Sequence, residues 1–149
     1  SERRQVWKGI LATPFEIAVR RIEDGHFFAT LSVVGEYQHD TAAILPMLVA
    51  AALATPFGPG FGLIFDFSKL EYAGGDGLLD WVYGLSNVVE HEYYVAVVVS
   101  PRNRARITTL IADLELDTLR DRCFESFIDA EAELLRTWTA KRPTSDPEG

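Results

Sequence analysis

The stretch Ile64-Phe65-Asp66-Phe67-Ser68-Lys69-Leu70-Glu71-Tyr72-Ala73-Gly74-Gly75-Asp76-Gly77-Leu78 decides the fold. An apolar run stops at an aspartate, and a short polar step follows. Two glycines, an aspartate and a third glycine then open a helical pattern. Residues 63–67 are nearly continuously apolar rather than alternating, the pattern of a central strand covered on both faces. Over residues 77–90, Leu78, Val82, Leu85 and Val89 recur along one stripe, which predicts a helix. Strand, turn and helix follow one another within one short segment.

Upstream, Phe15, Ile17 and Val19 alternate with Glu16, Ala18 and Arg20, a half-buried strand over residues 15–21. Asp24-Gly25 predicts a hairpin into a second strand over 27–34. Asp40 is placed to cap a helix starting at Thr41, where Ile44, Leu45, Leu48, Val49, Ala52 and Leu53 keep helical spacing. Prolines and glycines over 55–62 predict a loop. Downstream, residues 93–99 form another apolar strand. Ser100-Pro101 reads as a cap with proline in the first helical position, ahead of a helix carrying Ile107, Leu110, Ile111 and Leu114. Residues 124–127 read as a short strand, and Asp129 as the cap of a last helix with Ala130, Leu134, Leu135 and Trp138.

The order is β-β-α-β-α-β-α-β-α. It predicts an α/β fold with a mixed sheet, an opening antiparallel hairpin followed by parallel strands, and four packed helices. The expected domain spans 15–140, with an N-terminal extension over 1–14 and a flexible tail over 141–149.

The chain has 149 residues and a formal net charge of −8. That charge argues against a nucleic-acid partner, since phosphate binding needs a basic face. The lone Cys123 excludes an internal disulfide and fits a reducing compartment; within a strand it reads as a packed thiol. The apolar run over 41–55 contains Pro46 and is too short to span a bilayer, and no targeting segment is evident. A cytoplasmic domain is expected.

Tests for chemistry come out negative. Gly58-Pro59-Gly60-Phe61-Gly62 precedes a strand, whereas phosphate-binding loops leave a strand and open a helix. An aspartate ending a central strand fits a receiver-type phospho-acceptor only with an acidic pair after the first strand, where this chain has Val19-Arg20-Arg21-Ile22. Asp66, Glu71 and Asp76 lack a set metal-binding spacing, and so do His26, His39 and His91. Ser32, Ser68, Ser86 and Ser100 lack a nucleophile elbow. No catalytic residue, metal or cofactor is expected, and the domain reads as non-enzymatic.

The sequence resembles the STAS domain, shared by sulfate transporters and anti-sigma factor antagonists. Val34-Gly35-Glu36-Tyr37-Gln38 looks like the family's Gly-Glu-Leu-Asp step into its first helix. Phe65-Asp66-Phe67-Ser68 with Tyr72-Ala73-Gly74-Gly75-Asp76-Gly77-Leu78 looks like its Asp-Leu-Ser strand end and its Asp-Ser-Ser-Gly-Leu helix start. Val97-Val98-Val99-Ser100-Pro101-Arg102, Leu116-Asp117-Thr118-Leu119 and Phe127-Ile128-Asp129 complete a likeness spanning roughly residues 15–136.

The resemblance implies a protein partner, an anti-sigma factor that is also a kinase, or a larger signalling assembly. It places partner contacts on Gly35, Glu36, Tyr37, Gly74, Gly75, Asp76, Gly77 and Leu78. The family phosphorylates a serine or threonine at the position that Asp76 occupies, so the usual switch is absent here. The alternative is a small apolar ligand or lipid held by Phe57, Phe61, Tyr72 and Trp81. Trp7, Phe57 and Phe61, read as lying outside the periodic elements, suggest a homodimer.

Overall fold

The computed structural model describes residues 4–10, 14–21, 27–37, 60–73, 76–79 and 94–141. Strands β1 (Arg4–Ile10), β2 (Pro14–Arg21) and β3 (Phe27–Val33) run antiparallel in that order. β5 (Gly60–Asp66), β7 (Tyr94–Val98) and β8 (Cys123–Phe124) then join β3 in parallel, giving the sheet order β1-β2-β3-β5-β7-β8. A separate parallel ribbon pairs β4 (Gly35–Glu36) with β6 (Leu70–Glu71). The helices are α1 (Arg104–Asp113), the single turn α2 (Asp117–Arg120) and α3 (Phe127–Lys141). One turn of 3-10 helix covers Asp76–Leu79.

The mixed sheet agrees with the expectation, and the alternation of its strands explains its two cores. Ile17, Val19, Leu31, Val33, Leu63, Phe65 and Val97 fill one face together with Leu78 and Leu79 of the 3-10 turn and Ile107, Leu110 and Ile111 of α1. Phe28, Ile64, Ala96 and Val98 fill the other against Ala130 and Leu134 of α3. Arg20 of β2 pins the same helix through a 2.8 Å ion pair with Glu131, and its guanidinium lies over the Phe28 ring. No helix among the described residues is long and apolar enough to cross a membrane.

Several expectations change. Residues 1–14 carry β1, whose full pairing with β2 makes it part of the sheet rather than an extension. Trp7 therefore lies in a strand, and so does Phe61 in β5, which removes the ground on which both suggested self-association. Phe57 lies outside the described residues.

The predicted loop over 55–62 ends earlier, because β5 begins at Gly60. Gly62 is in the strand for a packing reason: a Cβ there would stand 3.0 Å from the Tyr94 carbonyl oxygen and 3.2 Å from Leu134 Cδ1. The glycine lets α3 approach the sheet closely.

Of the four expected helices, α1 and α3 are the two long ones among the described residues. The helix expected from Thr41 lies outside them, as does all beyond Leu79 of the one expected over 77–90. The last strand stops at Phe124 and α3 already starts at Phe127. Its cap is Ser126, whose hydroxyl accepts from the Asp129 amide at 3.4 Å, so Asp129 is a first-turn acid rather than the cap. The helix expected after Ser100-Pro101 starts later: α1 begins at Arg104 with Asn103 as its N-cap, so Pro101 is not in its first position, and Ser100 instead bonds reciprocally across the turn before it. Its hydroxyl accepts from the Asn103 amide at 3.2 Å, and its own amide donates to Asn103 Oδ1 at 2.8 Å.

Candidate functional site

The polar stop at the end of β5 has a local cause. Asp66 closes β5, and its Oδ1 accepts from the Ser68 amide at 3.0 Å and from the Ser68 hydroxyl at 2.6 Å. This Asx turn reverses the chain. The Leu70 amide donates to the Phe67 carbonyl at 3.0 Å, completing the turn into β6.

β6 then pairs with β4, which follows β3 directly. The Gly35 amide donates to Lys69 O at 3.0 Å and the Tyr37 amide to Glu71 O at 2.9 Å. Gly35 takes φ +97°, a left-handed conformation that glycine adopts without steric cost and that lets the chain leave β3 for the ribbon. The ribbon stands at the carboxyl ends of the parallel strands, where α/β sheets gather their binding loops.

In the ribbon's register Glu36 lies opposite Glu71, and both are exposed. Like charges placed opposite one another weaken a sheet rather than build it. Behind them the Tyr37 and Tyr72 rings meet edge to face, with centroids 5.2 Å apart. Tyr72 is buried and Tyr37 half-buried. The outer rim is thus acidic and its backing is firm.

Helix α1 supports the ribbon from below. Asn103, 1% exposed, donates through Nδ2 to Phe67 O and to Leu70 O, each at 2.8 Å. Arg106, one turn on, donates to Ala73 O at 2.5 Å. The 3-10 turn follows at Asp76, with Leu78 and Leu79 driven into the core.

The structure brings Gly35, Glu36 and Tyr37 together with Glu71, Tyr72 and Ala73, and it starts a helical turn at Asp76. Gly74 and Gly75 lie outside the described residues. Leu78 is a core residue, not a surface contact. From the sequence Glu71 is weighed only as a metal ligand, and Asn103 and Arg106 are not singled out, because their contacts with this segment leave no local signal.

Two of the four aromatics expected to line a pocket, Tyr72 and Phe61, are among the described residues. Tyr72 is used in the core, Phe61 lies in β5, and Phe57 and Trp81 lie outside the described residues. A surface depression lined by Ile111, Ala112, Glu115, Leu116 and Arg120 contains none of these aromatics. Cys123 is half-buried in β8, and burial pushes its thiol pKa up, against a smaller lowering by Arg104, while Glu125 adds to the rise. That is the opposite of an activated nucleophile.

This architecture is the SpoIIAA-like fold. An anti-sigma factor antagonist from Mycobacterium paratuberculosis superposes with a TM-score of 0.54 at 23% identity, over 88% of this chain and 95% of its own. A protein of the DUF3478 family from Shewanella loihica PV-4, described as having a SpoIIAA-like fold, gives 0.51 at 19% identity, over 90% and 97%. No protein-family model and no curated protein matches the sequence. The likeness agrees with the fold that the STAS resemblance implied.

Proposed function

We propose that the chain is a non-enzymatic, protein-binding regulatory module of the anti-sigma factor antagonist type, held permanently in the charged state of its switch. The reading rests on one observation above all, a helical turn that begins with Asp76, the residue that the resemblance aligns with the family's phospho-acceptor. A carboxylate at the first turn of a helix is favoured by the helix end by roughly 0.3–1 kcal/mol. It supplies a fixed negative charge where the family adds one by phosphorylation, and it offers a kinase no hydroxyl.

The neighbouring rim fits this reading. Glu36 and Glu71 stand opposite one another on the ribbon that feeds the same turn. Such a rim adds to the negative charge of this surface and disfavours a partner that docks on an uncharged one. The partner is a cytoplasmic protein, an anti-sigma factor or a component of a signalling assembly.

The test is phosphorylation. Wild type and Asp76→Ser are incubated with ATP and the anti-sigma kinases of the native host, then read by peptide mass spectrometry. The expected result is no phosphate on residues 74–78 of wild type and phosphate on Ser introduced at position 76. Stoichiometric phosphate on wild-type Ser68, or none on either protein, contradicts the proposal.

A further inference from the structure

We propose that Arg106 is a positioning residue for the Glu36·Glu71 ribbon, holding the outgoing end of β6 through its bond to the Ala73 carbonyl. The pattern is regular. Asn103, the N-cap of α1, and Arg106 in its first turn are three residues apart and so project to one side. They take carbonyls spaced three apart on the facing segment: Asn103 takes Phe67 and Leu70, and Arg106 takes Ala73.

The intervening carbonyls of Lys69 and Glu71 accept from the Gly35 and Tyr37 amides of β4. The segment is therefore held from two sides, by β4 along one edge and by α1 along the other. Asn103 is buried and secures the incoming turn. Arg106 is exposed and secures the outgoing end, where the chain leaves toward Asp76. A ribbon with two residues in each strand has little stability of its own, so its order depends on these outside anchors.

The functional consequence rests on the reading of this ribbon as the docking surface; the positioning itself does not. Residue-resolved amide hydrogen exchange on the purified chain tests it. Arg106→Met keeps the aliphatic stem and removes the donors, whereas Arg106→Lys keeps a charged donor. Exchange of the Tyr37 and Gly35 amides is expected to quicken roughly fivefold in Arg106→Met, the scale of one lost hydrogen bond. The Ile64 and Val97 amides of the central strands should be unchanged, and Arg106→Lys should stay close to wild type. Wild-type rates in Arg106→Met, a rise shared by Ile64 and Val97, or identical behaviour of the two variants would overturn the proposal. A failed phosphorylation experiment leaves these rates as they are, so the two readings fail separately.

Discussion

Asn103 joins parts of the chain 36 and 33 residues apart: its Nδ2 donates to the carbonyls of Phe67 and Leu70, each at 2.8 Å. Its Oδ1 accepts from the Ser100 amide at 2.8 Å. A buried side chain with donors and acceptor all used is costly to truncate, because its partners stay buried without it. Asn103→Ala is expected to lower unfolding free energy by about 2–4 kcal/mol. Urea unfolding followed by circular dichroism measures it. A loss below about 1 kcal/mol would show that water replaces the side chain at little cost.

Gly62 makes the second prediction. Gly62→Ala forces a Cβ against the Tyr94 carbonyl at 3.0 Å, where backbone must move. The expected cost is about 1–3 kcal/mol, and Gly62→Val should cost more. The same unfolding assay reads both. A neutral alanine variant would mean that α3 stands off the sheet freely.

Glu115 gives a change in the other direction. It follows α1 at φ 55°, the left-handed position that ends a Schellman motif. The Leu116 amide donates to Ile111 O at 3.0 Å and the Glu115 amide to Ala112 O at 3.1 Å. Glycine suits this place better than any side chain. Glu115→Gly should stabilise the domain by about 0.5–1 kcal/mol, the left-handed strain removed less the added freedom of the unfolded chain. Destabilisation would mean that the Glu115 side chain makes a compensating contact.

Cys123 supplies a pH prediction. Its folded thiol pKa is raised above the ordinary value of 9.0, chiefly by burial. The native state therefore favours the neutral thiol. That contribution is fully present below the unfolded pKa and is lost as pH rises through the folded one. Stability should fall above about pH 9 by an amount that Cys123→Ala abolishes. At pH 8 iodoacetamide should alkylate Cys123 at least about tenfold more slowly than free cysteine. Equal rates would place the thiol in solvent.

The central strands were legible because burial on both faces writes itself locally: residues 63–67 and 93–99 are apolar almost throughout. The polar turn at Ser100 was legible in part, since its partner Asn103 is three residues away, but α1 starts at Arg104 and not at Pro101. β1 was not, because an edge strand such as Arg4-Gln5-Val6-Trp7-Lys8-Gly9-Ile10 mixes charge, glycine and apolar residues. β4 and β6, of two residues each, have no periodicity to read. Their pairing is imposed by the Asp66 turn and by Asn103 from far along the chain. Asp76 stands out as a candidate only through the resemblance, because an acid at a helix start is ordinary in any helix.

The central claim is that Asp76 stands in for a phosphate and keeps this surface in its charged state. Calorimetric binding of wild type and Asp76→Ser to the native host's anti-sigma kinases tests it most directly. Serine is itself a good cap, so the fold is expected to survive the change. Removing the fixed charge lowers the cost of docking for a partner that prefers the uncharged face, and the serine variant should bind at least about tenfold more tightly. Tighter binding by wild type would make Asp76 a direct contact instead, and binding by neither protein would remove the anti-sigma reading.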